Sequence, residues 1–158
     1  MSWPAARVFW GAAALAAGAL LATCNAIQPG TSPDTAAERR IEEVRDLLPG
    51  TWLREYTSQD VRVRRVLRLE RDGAFRESVR GVDPAGHVID HLHEGTWLYD
   101  GTNLKRKYTL MDGNPPSRLN LPLATFEIAF QTRNEFVGVD HIHRNRIVYQ
   151  RVPEDTHP

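Results

Sequence analysis

Two periodicities divide the chain. Between residues 35 and 48, Ala37, Ile41, Val44 and Leu48 recur at helical spacing, while Glu38, Arg39, Arg40, Glu42, Glu43 and Arg45 occupy the remaining positions. This predicts one amphipathic helix, capped by Ser32 or Asp34 and stopped by Pro49-Gly50. From Gly50 the period becomes two. Strands are expected over 52–56, 61–69, 74–80, 87–99, 104–110, 125–131, 135–143 and 146–152. Asp72-Gly73, Asp83-Pro84-Ala85-Gly86 and Asp100-Gly101 supply turns, and 112–122 is the longest irregular stretch. Within 61–69, Val61, Val63, Leu67 and Leu69 alternate with Arg62, Arg64 and Arg68, but Arg65 and Val66 interrupt the alternation, which suggests a bulge.

Eight consecutive short strands with brief connections form a meander. A meander with one apolar face buries that face without leaving edges by closing into a barrel. The expected fold is therefore mainly β: an antiparallel up-and-down barrel over 50–152, preceded by one amphipathic α-helix. A curled, incompletely closed sheet plugged by the helix is the alternative. An eight-stranded barrel is filled by side chains or holds one small ligand, and strands this short imply a small or partly collapsed cavity.

The N-terminus does not belong to that fold. Residues 8–22 are an uninterrupted apolar and small run of 15 residues behind a basic start, shorter than the ~20 residues that span a bilayer. Residues 1–23 read as a signal peptide. Leu21-Ala22-Thr23-Cys24 resembles the lipobox of bacterial lipoproteins, with Thr23 where that family has Gly, Ala or Ser. The resemblance implies lipidation of Cys24, and Asn25 after it implies sorting to the outer membrane, facing the periplasm. Ordinary cleavage near Ala26, giving a soluble periplasmic or secreted protein, stays open, as does a retained anchor. Residues 24–34 have the Pro, Gly and Ser content of a flexible tether, and 153–158 are expected to be a disordered tail.

Charge adds little to this picture. Lys+Arg and Asp+Glu are both 20 of 158 residues, so there is no basic surplus for capturing nucleic acid. The single cysteine, Cys24, excludes an intrachain disulfide.

Leu48-Pro49-Gly50-Thr51-Trp52 resembles the opening of lipocalin-like domains, where a Gly-x-Trp starts the first strand and the Trp plugs the barrel base. Leu67-x-Leu69 with Asp72-Gly73-Ala74-Phe75, and Glu94-Gly95-Thr96-Trp97 with Gly101-x-x-Leu104, resemble later strands of bacterial lipocalin-like lipoproteins. The resemblance covers roughly 48–152 and bears on fold more than function. The second Gly-Thr-Trp reads as the same requirement met twice, with Gly for close approach and Trp as a second plug.

Candidate chemistry is sparse. No nucleophile elbow, phosphate loop or usable cysteine nucleophile is present, so no enzyme is expected. Glu77, Glu94, Glu127 and Asp140 read as solvated strand residues. Arg62, Arg64, Arg65, Arg68, Arg76 and Arg80 read as a surface stripe laddered with Glu70 and Glu77. The expected role is non-catalytic binding of a small apolar or amphipathic ligand by Trp52, Trp97, Tyr99, Phe126, Ile128 and Phe130, with no cofactor. Two His-x-His pairs, His91 with His93 and His141 with His143, offer an alternative: each pair shares a strand face, and four imidazoles would suit zinc or copper. A third reading is an accessory lipoprotein that docks another envelope protein.

Overall fold

The computed structural model describes residues 33–117, 122–142 and 144–158. The signal peptide, Cys24, nearly all of the tether and His143 lie outside them. Helix α1 (Pro33–Leu47) is followed by β1 (Gly50–Ser58), β2 (Val61–Leu69), β3 (Ala74–Val82), β4 (Val88–Tyr99), β5 (Asn103–Met111), β6 (Leu123–Thr132), β7 (Glu135–Asp140) and β8 (Arg146–Val152). Each strand pairs antiparallel with the next, and β8 returns to β1, so the sheet is a closed barrel. The seam pairs Thr51–Leu53 with Gln150–Val152, and the alternation seen in the sequence becomes inside and outside of one wall.

One end of the barrel is closed by the Gly-Thr-Trp of β1. Trp52 is fully buried, with Phe136 and Phe130 edge-on at 4.8 and 5.8 Å. Its indole N–H donates to the Leu48 carbonyl at 2.8 Å. Arg151 of β8 lies over the indole, 4.2 Å from its centroid, and donates to the carbonyls of Pro49, at 3.0 Å, and Leu47. The last carbonyls of a helix have no partner within it, and here an indole and a guanidinium supply donors just where α1 ends. Gly50 beside them takes φ +135°, a backbone conformation that strains any residue with a Cβ. Ile41 packs on Gly101 of the β4–β5 turn, whereas Ala37 is exposed, so only the later part of the helical stripe meets the barrel.

The second Gly-Thr-Trp behaves differently. Trp97 is only partly buried and donates from its indole to the Glu70 carbonyl at 2.9 Å, bracing the β2–β3 turn. Its glycine does meet the close-approach requirement: a Cβ on Gly95 would sit 2.0 Å from the Lys107 carbonyl oxygen. The bulge of this strand pair lies here. Glu94 pairs with Leu110 but Gly95 with Tyr108, leaving Thr109 as the extra residue. The bulge shifts the parity of β5, so that Tyr108 opposes Gly95 and Met111 opposes His93 on the same inner face.

Several expectations change. No bulge occurs at Arg65 and Val66; the β1–β2 and β2–β3 registers run unbroken through them. Arg65 continues the inward series of Val63, Leu67 and Leu69, and Val66 is an outward residue that is nonetheless buried. It is covered because 153–158, expected to be disordered, lies along the outer face of β2 and β3. Arg64 donates to the His157 carbonyl at 3.0 Å, Arg80 to that of Pro158 at 3.3 Å, and Arg68 to that of Glu154. Strand β7 ends at Asp140 rather than at 143. The Asp140 carboxylate accepts the Ile142 N–H at 2.7 Å, and Arg144 takes φ 58°, so an Asx turn stops the strand.

Candidate functional site

The inner wall is apolar around Trp52 and charged further along β2, β3 and β5. Trp52, Leu67, Leu69, Phe75, Leu104, Ile128, Phe136, Ile147 and Tyr149 fill the first region. Of the six expected ligand-lining residues, Trp52 and Ile128 belong to this buried core, and Trp97, Tyr99, Phe126 and Phe130 pack against it. They fill space at this end of the lumen.

The charged region centres on Glu77. The carboxylate is completely buried, a correction to its reading as a solvated surface residue. Arg106 donates to its Oε1 at 2.7 Å and Arg65 to its Oε2 at 2.9 Å. The Tyr108 hydroxyl lies 3.5 Å and His93 Nδ1 3.4 Å from Oε2. Burial alone would raise the carboxyl's proton affinity; Arg106, the His93 hydrogen bond and Arg65 outweigh it and hold Glu77 well below the ordinary carboxylate range. Burial opposes the charge of Arg65 and Arg106 too, but Glu77 keeps both cationic. Desolvation pushes the Tyr108 phenol up to about 12. Arg106 also lies among the rings of Phe75, Tyr108 and Phe126, 5.4–5.6 Å from their centroids.

This centre is not neutral. Arg54 of β1 directly opposes Arg65 in register and, among the described residues, makes no hydrogen bond or ion pair, only a stacking contact over Tyr56 at 4.2 Å. Arg54, Arg65 and Arg106 thus share the inner face with Glu77, which pairs with Arg65 and Arg106. The Nε atoms of Arg65 and Arg106 are buried and without partners among the described residues. Tyr56, which accepts from Arg65 at 3.4 Å, also borders a cleft of about 560 Å³ where β1 ends and β2 begins. Val63 and Val82 supply apolar wall there, and Arg62, Arg64, Arg80 and Glu55 supply charge, Glu55 accepting from Arg64 at 2.6 Å.

The histidines separate. His91 and His93 do share the inner face of β4, with rings 6.0 Å apart. His141 does not join them. It lies beyond the end of β7, and its Nε2 pairs with Asn103 Oδ1 at 2.7 Å, whereas His91 Nδ1 pairs with Asp112 Oδ2 at 2.8 Å. Asn103 and Asp112 flank β5, roughly 30 Å apart at ~3.3 Å per residue. Among the described residues, His141 is therefore not brought to His91 and His93. A different group forms instead: one donor atom from each of His91, His93 and Asp112 lies within 4.8 Å of the others.

A sequence signal for Glu77 existed in the period-two pattern. Phe75-x-Glu77-x-Val79, Val63-x-Arg65-x-Leu67 and Leu104-x-Arg106-x-Tyr108 each put a charge between two apolar residues on one strand face. Asp112 carried no such signal, because it looks like any residue of an Asp-Gly turn.

A closed eight-stranded barrel with a preceding helix and a charged inner wall defines the class, an architecture consistent with a lipocalin-like fold and compatible with ligand binding. No protein-family model matches the chain, and no curated protein matches it.

Proposed function

We propose that this is a non-catalytic binding barrel of the cell envelope, held at a membrane through Cys24, that takes one small amphipathic molecule with an anionic end. The cationic surplus inside the barrel carries this reading. Like charges directly opposite each other on a sheet are destabilising, and Arg54 against Arg65 is relieved by a bound carboxylate or phosphate. The cleft beside Tyr56 has the size of a small-molecule site, with Val63 and Val82 as apolar wall and Arg62, Arg64, Arg80 and Glu55 as charged wall. A binding role fits the state of Glu77 as well: a carboxylate held so far below its usual range is a poor general acid or base near neutral pH.

Decanoate and decanol share a chain length and differ in charge, so calorimetric titration of the full chain with each tests the reading. Decanoate is expected to bind more tightly than decanol. Arg54→Met should weaken decanoate binding roughly 10–100-fold, the range for losing a charge-assisted hydrogen bond of about 1.5–3 kcal/mol. Decanol binding and folding should be unaffected, because Arg54 holds no other polar group. Equal affinity for the two molecules, or no decanoate binding, would overturn the anionic specificity. For the anchor, a Cys24→Ser chain is expected to leave the membrane fraction; its retention there would refute lipidation at Cys24.

A further inference from the structure

We infer that His91, His93 and Asp112 form a binding site for one divalent transition-metal ion of the zinc class, joined to the arginine-lined interior through the contact of His93 with Glu77. Strand β4 places His91 and His93 two residues apart on one face. The β5 bulge and the Asp112-Gly113 turn then bring a carboxylate to them from 21 residues away. Asp112 is fixed on both sides. Its N–H donates to the Leu92 carbonyl at 2.7 Å, and its Oδ1 accepts the Leu92 N–H at 2.7 Å. The residue takes φ 51° to do this, a left-handed conformation that Asp tolerates in a two-residue hairpin turn. Oδ2 is left facing His91.

The surroundings of His93 complete the argument. A metal-bound histidine usually gives its second ring nitrogen to a carboxylate, which fixes the ring and its tautomer. His93 Nδ1 faces buried Glu77 at 3.4 Å, which leaves Nε2 as the nitrogen for a metal. The side chains of His91 and Asp112 are 47% and 50% exposed, and that of His93 is 14% exposed, so an ion can arrive from solvent and still rest on an inner ligand. Donor atoms around a tetrahedral ion with bonds of ~2.1 Å stand about 3.4 Å apart. Donors now within 4.8 Å reach that spacing by small side-chain rotations. Two imidazoles and one carboxylate suit zinc, cobalt, nickel or copper over magnesium and calcium, which prefer oxygen ligands. On binding, the ion takes the place of the hydrogen between His91 Nδ1 and Asp112 Oδ2, and His91 stays a neutral imidazole with its ring proton on Nε2.

The test is calorimetric titration of the untagged full chain with Zn²⁺, followed by Co²⁺ with its visible absorption recorded. One equivalent of each is expected to bind, while Mg²⁺ gives no signal. His91→Ala and Asp112→Asn should each weaken Zn²⁺ binding at least tenfold. Both positions are half exposed, and the amide oxygen can still accept the Leu92 N–H, so circular dichroism should be unchanged. His141→Ala should bind zinc like the wild type. Absence of zinc binding by the wild type, full binding by both His91→Ala and Asp112→Asn, or loss of binding in His141→Ala would overturn the site. Decanoate binding by these variants is expected to be unchanged, so failure of the metal site and failure of the anionic pocket give different results.

Discussion

Replacing Glu77 with glutamine is expected to destabilise the barrel by about 3–5 kcal/mol, the cost of removing one partner from a buried ion pair. The amide is nearly isosteric, so packing is kept and the loss is electrostatic. Arg106 is 2% exposed, and its Glu77 contact at 2.7 Å is its ion pair; Arg65 shares the same carboxylate at 2.9 Å. Without that carboxylate, the buried Arg106 and the partly buried Arg65 lose their counter-charge. Urea unfolding of wild type and variant at neutral pH measures the difference, and a loss below about 1 kcal/mol would contradict the assignment of Glu77 as the central counter-charge. Replacing the whole cluster should be far milder than breaking it. A triple variant with Arg65→Met, Glu77→Leu and Arg106→Met removes every desolvated charge of the cluster at once, and such exchanges are often neutral or stabilising.

The same carboxylate sets a pH dependence. In the unfolded chain Glu77 titrates near its ordinary value of 4.5, and in the folded barrel well below it. The unfolded state therefore takes up a proton that the folded state refuses. The stabilisation from Glu77 is fully present above about pH 5, declines as pH falls through 4.5, and is gone once the folded carboxyl itself is protonated. Glu77→Gln should lack this component, so the gap between wild type and variant narrows on the acid side. A gap that stays constant from pH 7 to pH 3 would show that the shift is absent.

Trp52→Ala is expected to cost a comparable ~3–5 kcal/mol, the range for deleting a large aromatic from a packed core. Three losses coincide: a cavity opens beside Phe130 and Phe136, the Leu48 carbonyl loses its donor, and Arg151 loses the ring it covers. Trp52→Phe keeps a ring and loses the N–H, so about 1–2 kcal/mol is expected, mostly from the unpaired carbonyl. Denaturant midpoints with an unchanged slope would show that stability, and not the denatured state, has moved. If Trp52→Ala costs less than Trp52→Phe, the closure of this end by the indole is refuted.

The strand count, the preceding helix and the turns were legible because each rests on local chemistry: period-two burial, Asp-Gly turns and a Pro-Gly stop. Trp52 as the plug was legible from the motif at the start of β1. Trp97 was legible as an aromatic on the inner face, but its place at the β2–β3 turn follows from the register of β4 with β3. Glu77 and Arg65 were misplaced by the habit of assigning charges outside. Their strand parity pointed inward, and the compensation that makes burial tolerable comes from Arg106, 29 residues from Glu77. His141 was misplaced because the Asx turn at Asp140 ends β7 before the alternation can reach it.

By itself the sequence determined the barrel: alternation fixes which face of each strand is apolar, short turns force antiparallel neighbours, and closure removes the edges such a meander would expose. It also determined that His91 and His93 share a face, since that needs only the pleat of one strand. Only the tertiary structure decided what those faces meet. Registers and bulges, set by packing across the lumen, placed Asp112 beside the histidines, brought Arg65 and Arg106 to one carboxylate, and kept His141 on Asn103. The physical reason is range: a strand's periodicity acts over a few residues, whereas ion pairs and ligand sets join residues that only barrel closure makes neighbours.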